Sequence, residues 1–245
     1  MGDITNFRVA RQPPGTMANS ADRHEKPTFR KKFSPFIQAD TVYAVDFVVY
    51  SVDMTATTAQ KIAGAARRLL DQEGAEGVTM RRVATAVGIT PMAVYRHYPN
   101  RDGLLNALAD AGFVELTAKL EGLRLRGGID RQLLKILDVF LDHAFDNPRL
   151  FELMFLKKRE GARQYPDDFK ARRSPTANVS ADVIARAMET GHLRKDDVWE
   201  IVFETGALMQ GLIMLYLGGR ISVPPSEFRA FCHRSFGRYL NGIHT

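Results

Sequence analysis

Apolar residues are spaced with the period of an α-helix over most of the chain. Between residues 78 and 88 they fall at Met80, Val83, Ala84 and Val87, the i, i+3, i+4 and i+7 positions of one helix face. The same period predicts further helices over residues 59–73, 104–120, 133–145, 150–156, 179–190, 198–217 and 226–240. Because the second half of the chain carries no strand signal, we expect an all-α fold ending in a helical bundle.

Residues that cap or end helices predict a helix-turn-helix over residues 79–99. Thr79 precedes the first helix as an N-cap, and Gly88 ends that helix as a residue that can adopt a left-handed backbone. Thr90 caps a second helix that has Pro91 at its first position, and Pro99 stops it. Two short helices joined by a glycine turn are typical of a DNA-binding helix-turn-helix.

The second of these helices is predicted to enter the major groove of DNA. Its outward residues are Met92, Ala93, Arg96 and His97, with Tyr95 at the edge. The two basic side chains can donate to phosphate or guanine, and the tyrosine hydroxyl can donate to phosphate. The alternative is a short core helix that carries two ordinary surface charges.

The stretch GITPMAVYRHYPNRDGLL, residues 88–105, resembles the helix-turn-helix signature of the TetR family of transcriptional regulators. The similarity continues upstream through KIAGAARRLLDQEGAEGVTMRRVA and covers residues 60–108. Tyr98 replaces the usual phenylalanine and Arg101 the usual lysine, while Pro91, Met92 and Ala93 replace a common basic residue, glycine and threonine. We expect DNA contacts from Thr79, Arg81, Thr90, Pro91, Met92, Ala93, Tyr95, Arg96, His97 and Arg101.

The positive charge of the chain is concentrated on the predicted DNA-binding unit. The whole chain carries a net charge of +6, and residues 61–101 contain seven basic and three acidic side chains. Such a distribution is compatible with a polyanionic partner. Cys232 is the single cysteine, so no internal disulfide can form, which suits the reducing cytoplasm. The first twenty residues lack an apolar signal segment, and the apolar run 207–217 is too short to cross a bilayer.

Residues 1–53 are predicted to be a disordered extension that precedes a DNA-binding domain at residues 54–108. Residues 1–34 are polar and show no sustained periodicity, and residues 41–52 could form at most a lone strand. Translation beginning at Met54 would explain this. The alternative is a basic arm that follows the minor groove, but seven basic and six acidic residues in the segment argue against it.

The resemblance implies that residues 109–245 bind a small effector and form a homodimer. Large, adaptable side chains in this half suit an apolar pocket, although they suit a plain core equally. The candidate ligand-binding residues are Phe140, His143, Met154, Phe155, Phe203, Gln210 and Met214.

The last two predicted helices, residues 198–217 and 226–240, are the candidate dimer interface. A helix that is apolar on several sides must be covered on several sides, and aromatic residues are favoured at the centres of interfaces. The residues concerned are Ile201, Ala207, Leu208, Leu212 and Leu215 on the first helix, and Phe228, Phe231, Phe236 and Tyr239 on the second.

Patterns typical of enzymes are weak. We therefore expect no catalytic activity, no metal site and no cofactor. Glu189 and His192 have the spacing used in di-iron bundles, but no second copy of that motif exists. Cys232 and His233 are adjacent on a helix and therefore point apart. We interpret the chain as a repressor that binds an operator in double-stranded DNA and is released by an effector. The alternatives are a regulator without a ligand, and a helical enzyme or ligand-storage bundle with a vestigial helix-turn-helix.

Overall fold

The computed structural model describes residues 56–245, and this part of the chain contains α-helices and no strand. The all-α prediction is therefore confirmed, and the expectations for residues 1–53 lie outside the described residues. The helices are α1 Thr58–Glu73, α2 Met80–Val87, α3 Pro91–Tyr95, α4 Arg101–Glu121, α5 Ile129–Asp146, α6 Pro148–Phe155, α7 Asp167–Lys170, α8 Pro175–Glu189, α9 Val198–Leu217 and α10 Pro225–Ile243, with a 3-10 turn at Ala75–Gly77.

The predicted caps set the bounds of α2 and α3. The Thr79 hydroxyl accepts from the backbone N–H of Arg82 at 3.3 Å, and the Thr90 hydroxyl accepts from Ala93 at 3.3 Å. Gly88 ends α2 at φ 77° and ψ 34°, a left-handed conformation that costs a glycine little. These signals are local in sequence, which explains why they could be predicted correctly.

Helix α4 connects the two ends of one continuous hydrophobic core. Near its start, Leu104 and Leu108 are buried with the apolar faces of α1 and α2. Farther along, Gly112 and Leu116 lie in the core of the C-terminal bundle, where α4 packs against α6 and α8. The domain boundary predicted at residue 108 thus falls inside one continuous helix.

Close contact between α4 and α6 depends on Gly112. A Cβ atom added there would lie 2.6 Å from the Met154 sulfur and 2.9 Å from the Leu150 Cδ2 atom. Both neighbours are buried, so a methyl group at this position would force them to shift. The glycine therefore sets how near the two helices can approach each other.

The C-terminal bundle differs from the prediction in two respects. Helix α8 begins at Pro175 rather than Val179, because the proline occupies a favourable first helical position. Phe228, Phe236 and Ile201, which were predicted to face a partner, are buried within the bundle itself. Helical period identifies an apolar face without identifying the element that covers it.

Helix α9 is long and apolar enough to cross a membrane by length and composition, with a mean hydropathy of 1.4 over its most apolar window. The sequence prediction considered only the apolar run at residues 207–217 and therefore underestimated the length of the apolar segment, which begins at Val198. Core helices of soluble proteins pass the same test, and Met209 and Ile213 of α9 are buried in the bundle.

Two buried side chains in the bundle have strongly shifted pKa values. Burial, with smaller contributions from the charges of Lys119 and Arg67, lowers the pKa of His143 from 6.5 to about 4. Its Nε2 atom lies 3.4 Å from the Met154 sulfur, and its Nδ1 atom has no hydrogen-bond partner among the described residues. Burial also raises the pKa of the Cys232 thiol to about 11.

Replacement of Gly112 by alanine is expected to destabilise the fold by about 1–2 kcal/mol, because overpacking outweighs the gain in helix propensity. Gly237→Ala in α10 is a matched control, since a Cβ there meets nothing within 4 Å. That control is expected to stabilise the fold by up to about 1 kcal/mol. Chemical denaturation measures both effects, and equal stability of the two variants would contradict the close-contact argument.

Acid is expected to destabilise the protein through His143. The unfolded chain binds a proton at this residue below about pH 6.5, whereas the folded chain does so only below about pH 4. The contribution of neutral His143 to the free energy of unfolding is therefore complete above pH 6.5. Between pH 7 and pH 5 the free energy of unfolding decreases by about 2 kcal/mol. The His143→Leu variant should lose this part of the pH dependence in denaturant titrations. Identical pH slopes for variant and wild type would disprove the role of this histidine.

Candidate DNA-binding surface and ligand cavity

The exposed face of α3 carries the residues predicted to contact DNA. Val94 is fully buried and anchors the helix, whereas Met92 is 66% exposed and Tyr95 is 46% exposed. Arg96 and His97 are also exposed, although the helix ends at Tyr95 and Arg96 is its C-cap. Helix α3 is thus one turn shorter than the sequence indicated.

Only some of the basic side chains in the DNA-binding unit form ion pairs. Within residues 61–101 each of the three carboxylates faces an arginine: Asp71 pairs with Arg67, Glu73 with Arg82 and Glu76 with Arg101. The hydrogen bond from Arg82 raises the pKa of that arginine and lowers the pKa of Glu73. Four exposed basic side chains have no ion pair within the described part of the chain: Lys61, Arg68, Arg81 and Arg96.

Arg101 supports the fold of the DNA-binding unit. Its guanidinium donates to the carbonyl oxygens of Val78 at 2.8 Å and Ala75 at 2.6 Å. These bonds hold the segment before α2 against the start of α4. The geometry gives this side chain a structural role, and its contact with DNA stays a prediction. The hydroxyls of Thr79 and Thr90 act as acceptors in helix caps, which leaves their O–H groups available as donors.

A cavity of about 410 Å³ lies in the C-terminal bundle, between residues of α4, α5, α6, α8 and α9. Its wall is mainly apolar and aromatic, as is usual for small-molecule sites of this size. Five of the seven predicted ligand-binding residues line it: Phe140, Met154, Phe155, Phe203 and Gln210. His143 and Met214 do not, and His143 instead contacts Met154 from behind the wall.

The sequence prediction missed the polar side of the cavity. The segment between α6 and α7 contributes Lys157, Arg159 and Arg163, and α8 contributes Thr176 and Ser180. No helix and no site residue were predicted from the sequence over residues 157–178, a segment rich in charged residues. A charged residue in such a loop is normally solvated, so only long-range packing shows that part of this loop closes over a cavity.

A chain of polar contacts connects the back of the cavity to α1. The Arg67 guanidinium donates to the Asn147 side-chain oxygen at 2.6 Å and lies 3.5 Å from a carboxylate oxygen of Glu115. Asn147 in turn donates to the backbone oxygen of His143 at 3.3 Å. Arg67 therefore contacts α4 and the junction of α5 and α6 from the DNA-binding side.

The enzyme-like patterns occupy ordinary structural positions. The ring of His192 lies 2.9 Å from the Thr190 hydroxyl, and His233 lies 2.8 Å from an Asp138 oxygen. Cys232 is buried, and its raised pKa makes it a poor nucleophile near neutral pH. Within residues 56–245, no group of three or more His, Cys, Asp or Glu side chains could hold a metal ion.

Two family models match the chain and together cover more than half of it. Residues 62–108 match the bacterial regulatory proteins of the tetR family, and residues 133–238 match a tetracyclin repressor-like C-terminal domain. The first match contains α2 and α3, and the second contains most of the cavity wall.

Curated relatives are similar over part of their length. An uncharacterised HTH-type transcriptional regulator of Bacillus subtilis, YobS, is 26% identical over 45% of this chain and 58% of its own length. The class A tetracycline repressor of Escherichia coli is 29% identical over 45% of each protein. The chain thus spans less than two thirds of the length of these relatives.

Solved structures share the fold at low sequence identity. A protein of unknown function from Rhodococcus sp. RHA1 matches with a TM-score of 0.64 at 21% identity, over 80% of this chain and 100% of its own. A putative tetR family regulator from Shewanella sp. PV-4 matches with a TM-score of 0.59 at 16% identity, over 78% and 100%. By its two family domains, which have this fold, the chain belongs to the tetR family of bacterial regulatory proteins.

Proposed function

We propose that this chain is a cytoplasmic repressor that binds a palindromic DNA operator as a homodimer and dissociates when a small molecule fills the cavity. TetR-family proteins are transcriptional regulators rather than enzymes. The observation that supports the proposal most strongly is the presence of exposed, unpaired basic side chains in the described part of the DNA-binding unit. Within residues 61–101 the three acids pair with Arg67, Arg82 and Arg101, while four exposed cations remain for phosphate.

Base recognition is assigned to the exposed face of α3. Arg96 and His97 can donate to guanine or phosphate, and Tyr95 can donate to phosphate. Met92 projects a large apolar side chain into solvent at the start of the helix. In the major groove this side chain would find the thymine methyl group, the one apolar group on a base edge.

Coupling between cavity and DNA is assigned to α4 and α6. Met154 of α6 lines the cavity and packs against Gly112 of α4, whose first turns belong to the DNA-binding core. A ligand that moved α6 would therefore press on α4 at a point with no free space. Arg67 supplies a second contact, because it binds both Glu115 of α4 and Asn147 at the start of α6.

The dimer interface is assigned to the exposed face of α9. Only 28% of the most apolar window of this helix is buried within the chain. Ala207, Gly211 and Leu215 follow one another at intervals of four residues, and all three are exposed. Two small residues would allow a partner helix to approach closely, and a two-fold pairing would cover both copies.

The Arg96→Ala variant tests the DNA-binding proposal. If Arg96 reads a guanine, affinity should decrease by about 1–3 kcal/mol, selectively for sequences with that base. If it contacts phosphate, affinity should decrease evenly and the salt slope should shrink by about one. Mobility shifts on the DNA upstream of the protein's own gene provide the measurement. Arg186→Ala, on the exposed side of α8, is the control. Unchanged affinity and salt slope for Arg96→Ala would exclude the assignment.

The Leu215→Glu variant tests the dimer. Leu215 is 47% exposed, so a charge there costs the isolated chain little but would be unpaired and buried in a dimer. The variant is expected to sediment as a monomer at micromolar concentration and to lose at least ten-fold in operator affinity. Val114→Glu on α4 is a matched control, because Val114 is 48% exposed. A wild-type protein that sediments as a monomer and still binds a palindrome tightly would be incompatible with the proposal.

A further inference from the structure

A buried arginine with an unused donor lies in the wall of the cavity. The side chain of Arg159 is only 7% exposed, and its Nε atom has no hydrogen-bond partner among the residues that the structure describes. Its nearest carboxylate is Asp110, whose oxygen is 3.4 Å away on a side chain that is 66% exposed. Such a long contact to a solvated carboxylate compensates little for the burial of a guanidinium.

The guanidinium is a cation with five N–H donors and no acceptor. A buried charge without a full set of partners destabilises the protein in the absence of a ligand. The guanidinium also stacks on the ring of Phe113, with the Cζ atom 5.7 Å from the ring centroid, which fixes its position. The site is thus arranged for an anion that the protein itself does not supply.

The other charges on the cavity wall have the same sign. Lys157 and Arg163 line the cavity with Arg159, and no aspartate or glutamate among residues 56–245 does. Arg163 lies over the same Phe113 ring at 5.9 Å and is anchored by a hydrogen bond to the backbone oxygen of Arg173. A cationic ligand would meet three like charges here, whereas an anionic ligand would meet three complementary ones.

Beyond this basic end, the cavity is lined by apolar and aromatic groups. Phe140, Phe155, Phe203 and Met209 form much of the remaining wall. A volume of about 410 Å³ is within the range of sites that enclose a drug-sized molecule. We propose that the effector is an amphipathic carboxylate, whose acid group binds Arg159 and whose hydrocarbon or aromatic body fills the apolar part of the cavity.

This inference rests on the proposal that the cavity is the effector site, and it is tested by ligand binding without DNA. Decanoate, decanol and decylamine are three probes with the same chain and different head groups. Trp199 is the single tryptophan, and its ring centroid lies 6.4 Å from that of Phe169 on the cavity wall. Its fluorescence and isothermal titration calorimetry on the full chain should report occupancy.

Wild-type protein is expected to bind decanoate at least ten-fold more tightly than decanol, and decylamine more weakly than either. Arg159→Gln should lose about ten-fold or more in decanoate affinity and leave decanol binding unchanged. The control Arg186→Gln removes the same charge outside the cavity and should change neither affinity. Equal binding of decanoate and decanol by the wild type would overturn the inference without any variant. Retention of decanoate affinity in a folded Arg159→Gln protein would overturn it independently.

Mobility shifts separate this inference from the function on which it rests. If decanoate binds through Arg159 but does not release DNA, the carboxylate site stands and the effector function fails. If screening instead finds a cationic or neutral compound that fills the cavity and releases DNA, the function stands and the carboxylate inference fails.

Discussion

The contact between α4 and α6 at Gly112 is the constraint on which the rest of the structure depends. Helix α4 is one continuous helix. Its first half packs in the DNA-binding unit, and its second half packs in the C-terminal bundle. With Met154 and Leu150 pressed against a residue that has no side chain, neither helix can move far without the other. The position of the DNA-binding unit is consequently tied to the wall of the cavity.

Features encoded within a few residues of sequence could be predicted. The caps at Thr79 and Thr90, the left-handed turn at Gly88 and the apolar face of α2 depend on neighbours along the chain, and all have the expected form. Phe228 and Phe236 show the limit of such reasoning, because the helical period does not say whether an aromatic face meets its own bundle or a partner.

The part of the cavity wall formed by apolar residues of helices could be predicted, whereas the part formed by a buried charged residue could not. Aromatic residues such as Phe140 and Phe203 lie on the cavity wall as expected, since apolar side chains of helical bundles face inward. Arg159 was missed because a charged residue in a loop is normally solvated, and its burial results from packing over Phe113. Arg101 was assigned to DNA because its type fits phosphate, and its bonds to the carbonyl oxygens of Val78 and Ala75, distant in sequence, could not be predicted.

If this chain binds an operator and an effector as proposed, the two binding equilibria are coupled through α4, which packs against both α1 and the helices of the bundle. If a compound in the cavity weakens operator affinity by some factor, thermodynamic linkage requires operator DNA to weaken affinity for that compound by the same factor. Protein on its operator would then respond only to a higher concentration of the compound than protein free in solution. The sharing of α4 thus implies that the apparent sensitivity of this regulator depends on the number of operators in the cell.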